Sequence, residues 1–434
     1  MNKILSLLLF FIFLTNCSFN KNSKFWSDTK KLNNESESIY EEIFPTEESL
    51  KKEFNSDLQI KFTSKPTKST SANNYLNNSN RLDFNSDLKI SSRYKFSKIE
   101  NFGKYEPEII FFNDNIIFFD NKGSILNFDN KSKLIWKKNY YSKSEKKLKP
   151  ILQLANNDKY LIVADSIAKY YLINIQTGNL IWSKNNLAPF NSQIKIYKDK
   201  FFIIDLSNTL RCFSLANGDE LWNVKTENSL IRSQKKLSMV IIKDKIYFNN
   251  SIGDISAVDI KKGQLLWQLP TQSNLIYESA FSLQTSDIIS DGNFLFFSNN
   301  KNQLFSIDID TGSFNWENKI NSNLRSTLIS NYLISISNEG YLIITEKKTG
   351  NIVRVTDVFQ SFKIKERNKI KPIGFIVGLS NIYLSTSNGR ILIVDIASGK
   401  TISTKKIDNE KISRPFVKNE TLFLIKNNAI IKLN

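Results

Sequence analysis

KIYFNNSIGDISAVDIKKGQLLWQLP, Lys245 to Pro270, decides the fold. Lys245 to Phe248 is rich in β-formers, and Asn250 to Asp254 is turn chemistry. Ile255 to Asp259 reads as a second strand, Lys261-Lys262-Gly263 as a second turn, and Leu265 to Leu269 as a third strand. Gly263 supplies the positive φ of a tight turn, and Trp267 follows four residues later. The same spacing joins Gly178 to Trp182, Gly218 to Trp222 and Gly312 to Trp316, while Trp136 stands four residues after Ser132. Two more copies keep the glycine and lose the ring, Gly350 with Arg354 and Gly399 with Ser403. Further upstream, Gly253, Asn302, Gly340 and Gly389 stand six residues before Asp259, Asp308, Glu346 and Asp395. The units are about 38 to 49 residues long, the range of four-stranded propeller blades. A tryptophan buries roughly 150–250 Å², enough to cement one blade to the next. The chain is therefore expected to be all-β and radially repeated, with the recurring Asp residues bonding turn amides.

Seven complete units are centred near residues 136, 182, 222, 267, 316, 354 and 403. The remaining C-terminal stretch, PFVKNETLFLIKNNAIIKLN, is a partial blade that stops before the strand where tryptophan would stand. Leu88 to Phe96, LKISSRYKF, is a β-like segment with no unit of its own. Pairing it with the C-terminal strands closes an eight-bladed ring over residues 87–434 and removes exposed sheet edges. Treating the first or sixth unit as filler leaves seven blades instead.

The N-terminal part is different in kind. Lys3 precedes the apolar run Ile4 to Leu14, which is too short to span a bilayer and reads as an export signal covering residues 1–16. Residues 18 to about 86 are polar and free of repeat marks, so 17–86 is expected to be a flexible tether. Glu35 to Asp57 is locally acidic, with a short helix expected around Pro45 to Phe54.

The balance of 60 basic against 42 acidic residues, net +18, suggests anionic surfaces. The lysines are spread over every blade without a dense stripe, which argues against nucleic acid. The chain has no histidine, and so lacks the usual general base and the commonest metal ligand. Neither a nucleophile elbow nor a phosphate-cradling glycine loop is present. Cys212, in the apolar stretch TLRCFSL, reads as a small buried strand residue. Composition and motifs therefore point to no catalysis and no metal.

Leu14-Thr15-Asn16-Cys17 resembles the lipobox of bacterial lipoproteins, which implies an acylated Cys17 at the mature N-terminus. Ser18 after it favours outer-membrane delivery, with the head facing the periplasm. The units VDIKKGQLLW, IDIDTGSFNW and INIQTGNLIW resemble the repeat of pyrroloquinoline quinone (PQQ)-type propellers. That family has two branches: quinoprotein dehydrogenases, which hold PQQ and Ca²⁺ on the axis, and BamB-type lipoproteins of outer-membrane β-barrel assembly, which bind no cofactor. The lipobox, the chain length and the missing Cys-Cys pair resemble the BamB type. The resemblance implies a scaffold that grips the POTRA domains of a BamA-like barrel protein and helps position nascent outer-membrane proteins. It also implies a contact segment, best matched by Leu230-Ile231-Arg232, although Arg325 and Arg414 occupy similar loops. In the next loop, where the family suggests an acidic pair, Ser282 and Gln284 stand. The competing expectations are a PQQ-dependent dehydrogenase and a cell-wall polysaccharide-binding propeller.

Overall fold

The computed structural model describes residues 54, 55, 58, 60, 62, 64–79, 81–100, 102–227, 233–272 and 282–434. These form eight four-stranded antiparallel sheets arranged as the blades of a propeller. Blades 1 to 7 run in chain order over residues 110–138, 152–185, 195–225, 239–269, 289–318, 327–357 and 372–406. Neighbouring first strands touch across blades 1 to 4, which places the first strand of each blade innermost. Second and third strands are almost wholly buried, as in Phe201–Ile204 and Ile255–Val258. The outermost strands instead expose apolar side chains, among them Ile135, Ile181 and Leu266.

Blade 8 takes three strands from residues 416–433 and its outermost strand, Ile90–Lys95, from the other end of the propeller. That strand pairs antiparallel with the last one, with Tyr94 opposite Ile430 and Arg93 opposite Ile431. Lys89 and Asn434 extend the ladder by exchanging backbone hydrogen bonds of 2.6 and 2.9 Å. The ring is thus closed by N- and C-terminal strands and has eight blades.

At each joint between blades a side-chain donor is aimed at a backbone carbonyl of the next. The indole Nε1 of Trp136 donates to Gln176 O at 2.8 Å, that of Trp182 to Leu215 O at 3.1 Å, and that of Trp222 to Ile260 O at 3.1 Å. Trp267 reaches Ile309 O at 3.2 Å and Trp316 reaches Lys347 O at 2.9 Å. Each ring lies on the glycine of the turn it bonds. A Cβ on Gly312 would stand 2.5 Å from Cδ2 of Trp267, and φ there is +72°, so both contact and backbone demand glycine. Blades 6 to 8 make their joints differently. Arg354 Nη1 donates to Ala397 O at 2.7 Å, Lys405 Nζ donates to Leu88 O, and Tyr94 Oη donates to Asn130 O at 3.3 Å.

The recurring acids serve the turns. Asp259 Oδ1 accepts from the amides of Lys261 at 2.9 Å and Lys262 at 2.8 Å, and Asp308 Oδ1 from those of Asp310 at 3.0 Å and Thr311 at 2.8 Å. Cys212 is fully buried in the strand Thr209–Ser214, and burial pushes its thiol up to about 12.

From Phe54 onward, the stretch expected to be a flexible tether is built into the propeller. Phe54 pairs antiparallel with Val355 on the outer edge of blade 6, through bonds of 2.9 and 3.0 Å. The buried guanidinium of Arg354 bonds the carbonyls of Asn55 and Leu58 beside it. Ser69 bridges to Lys418, the helix Thr70–Tyr75 follows, and Leu82 bonds Val377 O at 2.8 Å. Leu82, Phe84 and Leu88 are buried against blades 7 and 8. The segment is polar because it docks through backbone pairs and amide side chains, with few apolar anchors.

Candidate functional site at the propeller axis

The segment 70–79 crosses the axis and closes it. Asn78 is almost fully buried, and its Nδ2 lies 3.1 Å from Gln193 Oε1, 3.1 Å from Met239 O and 3.0 Å from Ile288 O. Its Oδ1 accepts from Lys195 Nζ at 2.6 Å, and Lys195 also donates to Asn74 O. Arg325 donates to Asn74 Oδ1 from the opposite side. One polar plug therefore ties together blades 3, 4, 5 and 6.

Beyond the plug, where the chain enters the innermost strands, a narrow recess opens to solvent. Five cations line it, Lys235, Lys236, Arg325, Lys411 and Arg414, against three carboxylates, Glu106, Glu108 and Asp287. Glu108 faces Lys236 Nζ and Arg414 Nη2, both at 3.1 Å, while Glu106 pairs with Lys235 and Asp287 stands 3.8 Å from Arg325. Phe102, Tyr105, Leu324 and Phe375 form the apolar part of the wall.

The electrostatics reflect burial and crowding. Burial alone would raise the Glu108 carboxyl, but Lys236, Arg414 and Arg325 outweigh it and hold it down at about 2. Burial takes Lys195 down to about 7 against the pull of Glu108 and Asp287. Burial, then repulsion from Arg414, brings Arg325 down to about 10. Perturbed groups gathered in a recess mark a candidate site.

The arrangement does not suit a quinone held by Ca²⁺. Each recess carboxylate is engaged by lysine or arginine, which competes with a hard cation for its oxygens. Among the described residues, no group of three or more His, Cys, Asp or Glu side chains could hold a metal ion.

Of the residues singled out in sequence, the five tryptophans stand at blade joints, away from the recess. Leu230, Ile231, Arg232 and Cys17 lie outside the described residues. Ser282 and Gln284 are engaged with Asn300, whose Nδ2 donates to Ser282 O at 2.9 Å and whose Oδ1 accepts from Gln284 N at 2.8 Å. Sequence reading noted Arg325 and Arg414 in similar loops but missed the lysines and carboxylates that join them in the recess. Glu108, Asp287, Arg325 and Arg414 share one repeat position, two residues before an innermost strand, and that register is the signal that could have found them.

The fold resembles BamB from Moraxella catarrhalis at 15% identity and TM-score 0.65, covering 80% of this chain and 99% of that one. It resembles quinohemoprotein alcohol dehydrogenase from Comamonas testosteroni at 8% identity and TM-score 0.61, covering 84% and 79%. The computationally designed Ika8 protein is similar at 12% identity and TM-score 0.59, covering 78% and 99%. At these identities the structural likenesses establish the fold alone. No curated protein sequence matches the chain. The family model described as outer membrane protein assembly factor BamB matches residues 121–356, more than half of the 434, and the chain belongs to that family.

Proposed function

We propose that this protein is a non-catalytic scaffold lipoprotein of outer-membrane β-barrel assembly, anchored through Cys17 and facing the periplasm. It would bind the POTRA domains of a BamA-like barrel protein and aid insertion of outer-membrane proteins. The observation that carries the reading is the family match across residues 121–356, on a propeller whose axis is filled by its own Asn74 and Asn78. A filled axis leaves the loops and outer edges as the working surfaces, which suits a protein that holds others. Leu230-Ile231-Arg232, in the connection between blades 3 and 4, is the proposed contact; arginine is enriched at binding hot spots.

Affinity capture of the tagged, membrane-anchored chain from mild-detergent extract tests this reading. Co-purification of a barrel protein bearing POTRA domains is expected, and its absence beside a folded, lipidated chain would count against the scaffold. Arg232→Glu is expected to weaken that capture about tenfold or more, as for a hot-spot residue, without lowering thermal stability. Undiminished capture would remove Arg232 from the contact.

A further inference from the structure

We propose that the axial recess is a docking site for an acidic polypeptide segment of a partner protein, one that carries an aromatic side chain beside its carboxylates. Among the described residues the charge does not close. Five cations face three carboxylates, and Glu108 is shared between Lys236 and Arg414. Lys411 has only the backbone carbonyl of Gly103, at 2.7 Å, as its hydrogen-bond acceptor. Arg414 Nη2 is buried, and makes its ion pair with Glu108 but no aligned hydrogen bond. Arg325 and Arg414 repel each other across the same space. An incoming carboxylate relieves that repulsion and is matched by planar guanidinium geometry.

The wall decides between occupants. Tyr105, half-buried and backed by the buried Phe102 and Phe375, offers ring surface next to the cations, which a polypeptide matches by placing an aromatic residue beside Glu or Asp. A bare inorganic anion would leave that apolar wall uncovered. Asn74 and Asn78 block the far end, so the segment enters and leaves by the same mouth.

The test is independent of the assembly reading, because it needs no assembly component. The purified full chain is titrated with a labelled synthetic hexapeptide of alternating glutamate and phenylalanine, followed by fluorescence anisotropy. The glutamine counterpart, inorganic phosphate and phosphatidylglycerol vesicles serve as parallel probes. Binding of the glutamate peptide at least about tenfold tighter than its glutamine counterpart, and weaker when salt is raised, is expected. Lys411→Gln, at the mouth of the recess, is expected to weaken that binding about fivefold with the melting temperature unchanged, and Arg414→Gln to weaken it further. Equal affinity for the two peptides, or unaltered binding by a folded Lys411→Gln variant, would overturn the proposal. So would binding of phosphate or vesicles alone. If Arg414→Gln fails to fold, the peptide pair, the salt dependence and Lys411→Gln still decide.

Discussion

The propeller has two arcs that solve one problem in different ways. From blade 1 to blade 6, every joint is an indole laid on a glycine and bonded to the next turn. From blade 6 back to blade 1, the tryptophan is missing at each joint, and Arg354, Lys405 and Tyr94 supply the donor. In this second arc, the N-terminal segment takes part at every joint. Asn55 and Leu58 accept from Arg354, Leu88 accepts from Lys405, and Tyr94 belongs to the segment's own closing strand. The joint thus requires a donor to one carbonyl and a filler above the turn. An aromatic ring meets both needs alone, whereas a cation needs further carbonyls around it before burial is tolerable.

The largest expected effect comes from breaking the second arc at its most buried point. Arg354→Leu strands the carbonyls of Asn55, Leu58 and Ala397, and should destabilise the chain by about 3–5 kcal/mol in denaturant unfolding, at roughly 1–3 kcal/mol for each buried acceptor left unpaired. It should also release the Phe54 amide to rapid hydrogen exchange. Arg354→Trp sharpens the contrast, because it installs the first arc's filler; its stability loss should be smaller while Phe54 is still released. In the first arc, Gly312→Ala forces a Cβ to within 2.5 Å of Trp267 at φ +72°, a combined cost of about 2–4 kcal/mol. Gly292→Ala, at φ +97° with open space around it, should cost only the backbone part, about 1–2 kcal/mol.

The remaining effects are pH-dependent and belong to the axis. Lys195 titrates near 7 when folded, below its unfolded value near 10.5, so the unfolded chain holds more protons between those values. Stability should therefore rise from about pH 7 towards 10, and Lys195→Met should flatten that rise in pH-resolved thermal melts. Glu108 behaves in the opposite range. Its folded value of about 2 lies below the ordinary 4.5, so its contribution is present above pH 4.5 and lost as pH falls towards 2. Lys236 shares that carboxylate, so Lys236→Met should reduce the acid loss.

The ring was legible because its marks repeat. Gly263 with Trp267 recurs often enough to count blades, and the incomplete blade at Pro415–Asn434 announced the need for Leu88–Phe96. Residues 17–86 were read as a flexible tether because the contacts of their described part occur once and bridge distant positions. Phe54 meets Val355, and Asn78 meets Ile288, with no periodic pattern to show either. Arg354 looked like a decayed copy of the repeat, while in the fold it is among the largest fully buried side chains of the described residues. The recess was hidden for a related reason. Its repeat position changes chemistry from Glu108 to Gln193, Leu237, Asp287, Arg325 and Arg414, so only the closed ring brings the charges together.

Equilibrium binding of the purified full chain to the isolated POTRA region of a BamA-like protein tests the scaffold reading most directly. Saturable, stoichiometric binding that persists without quinone or Ca²⁺ is the expected result. No binding to that region, together with quinone-dependent dye reduction when PQQ and Ca²⁺ are added, would contradict it.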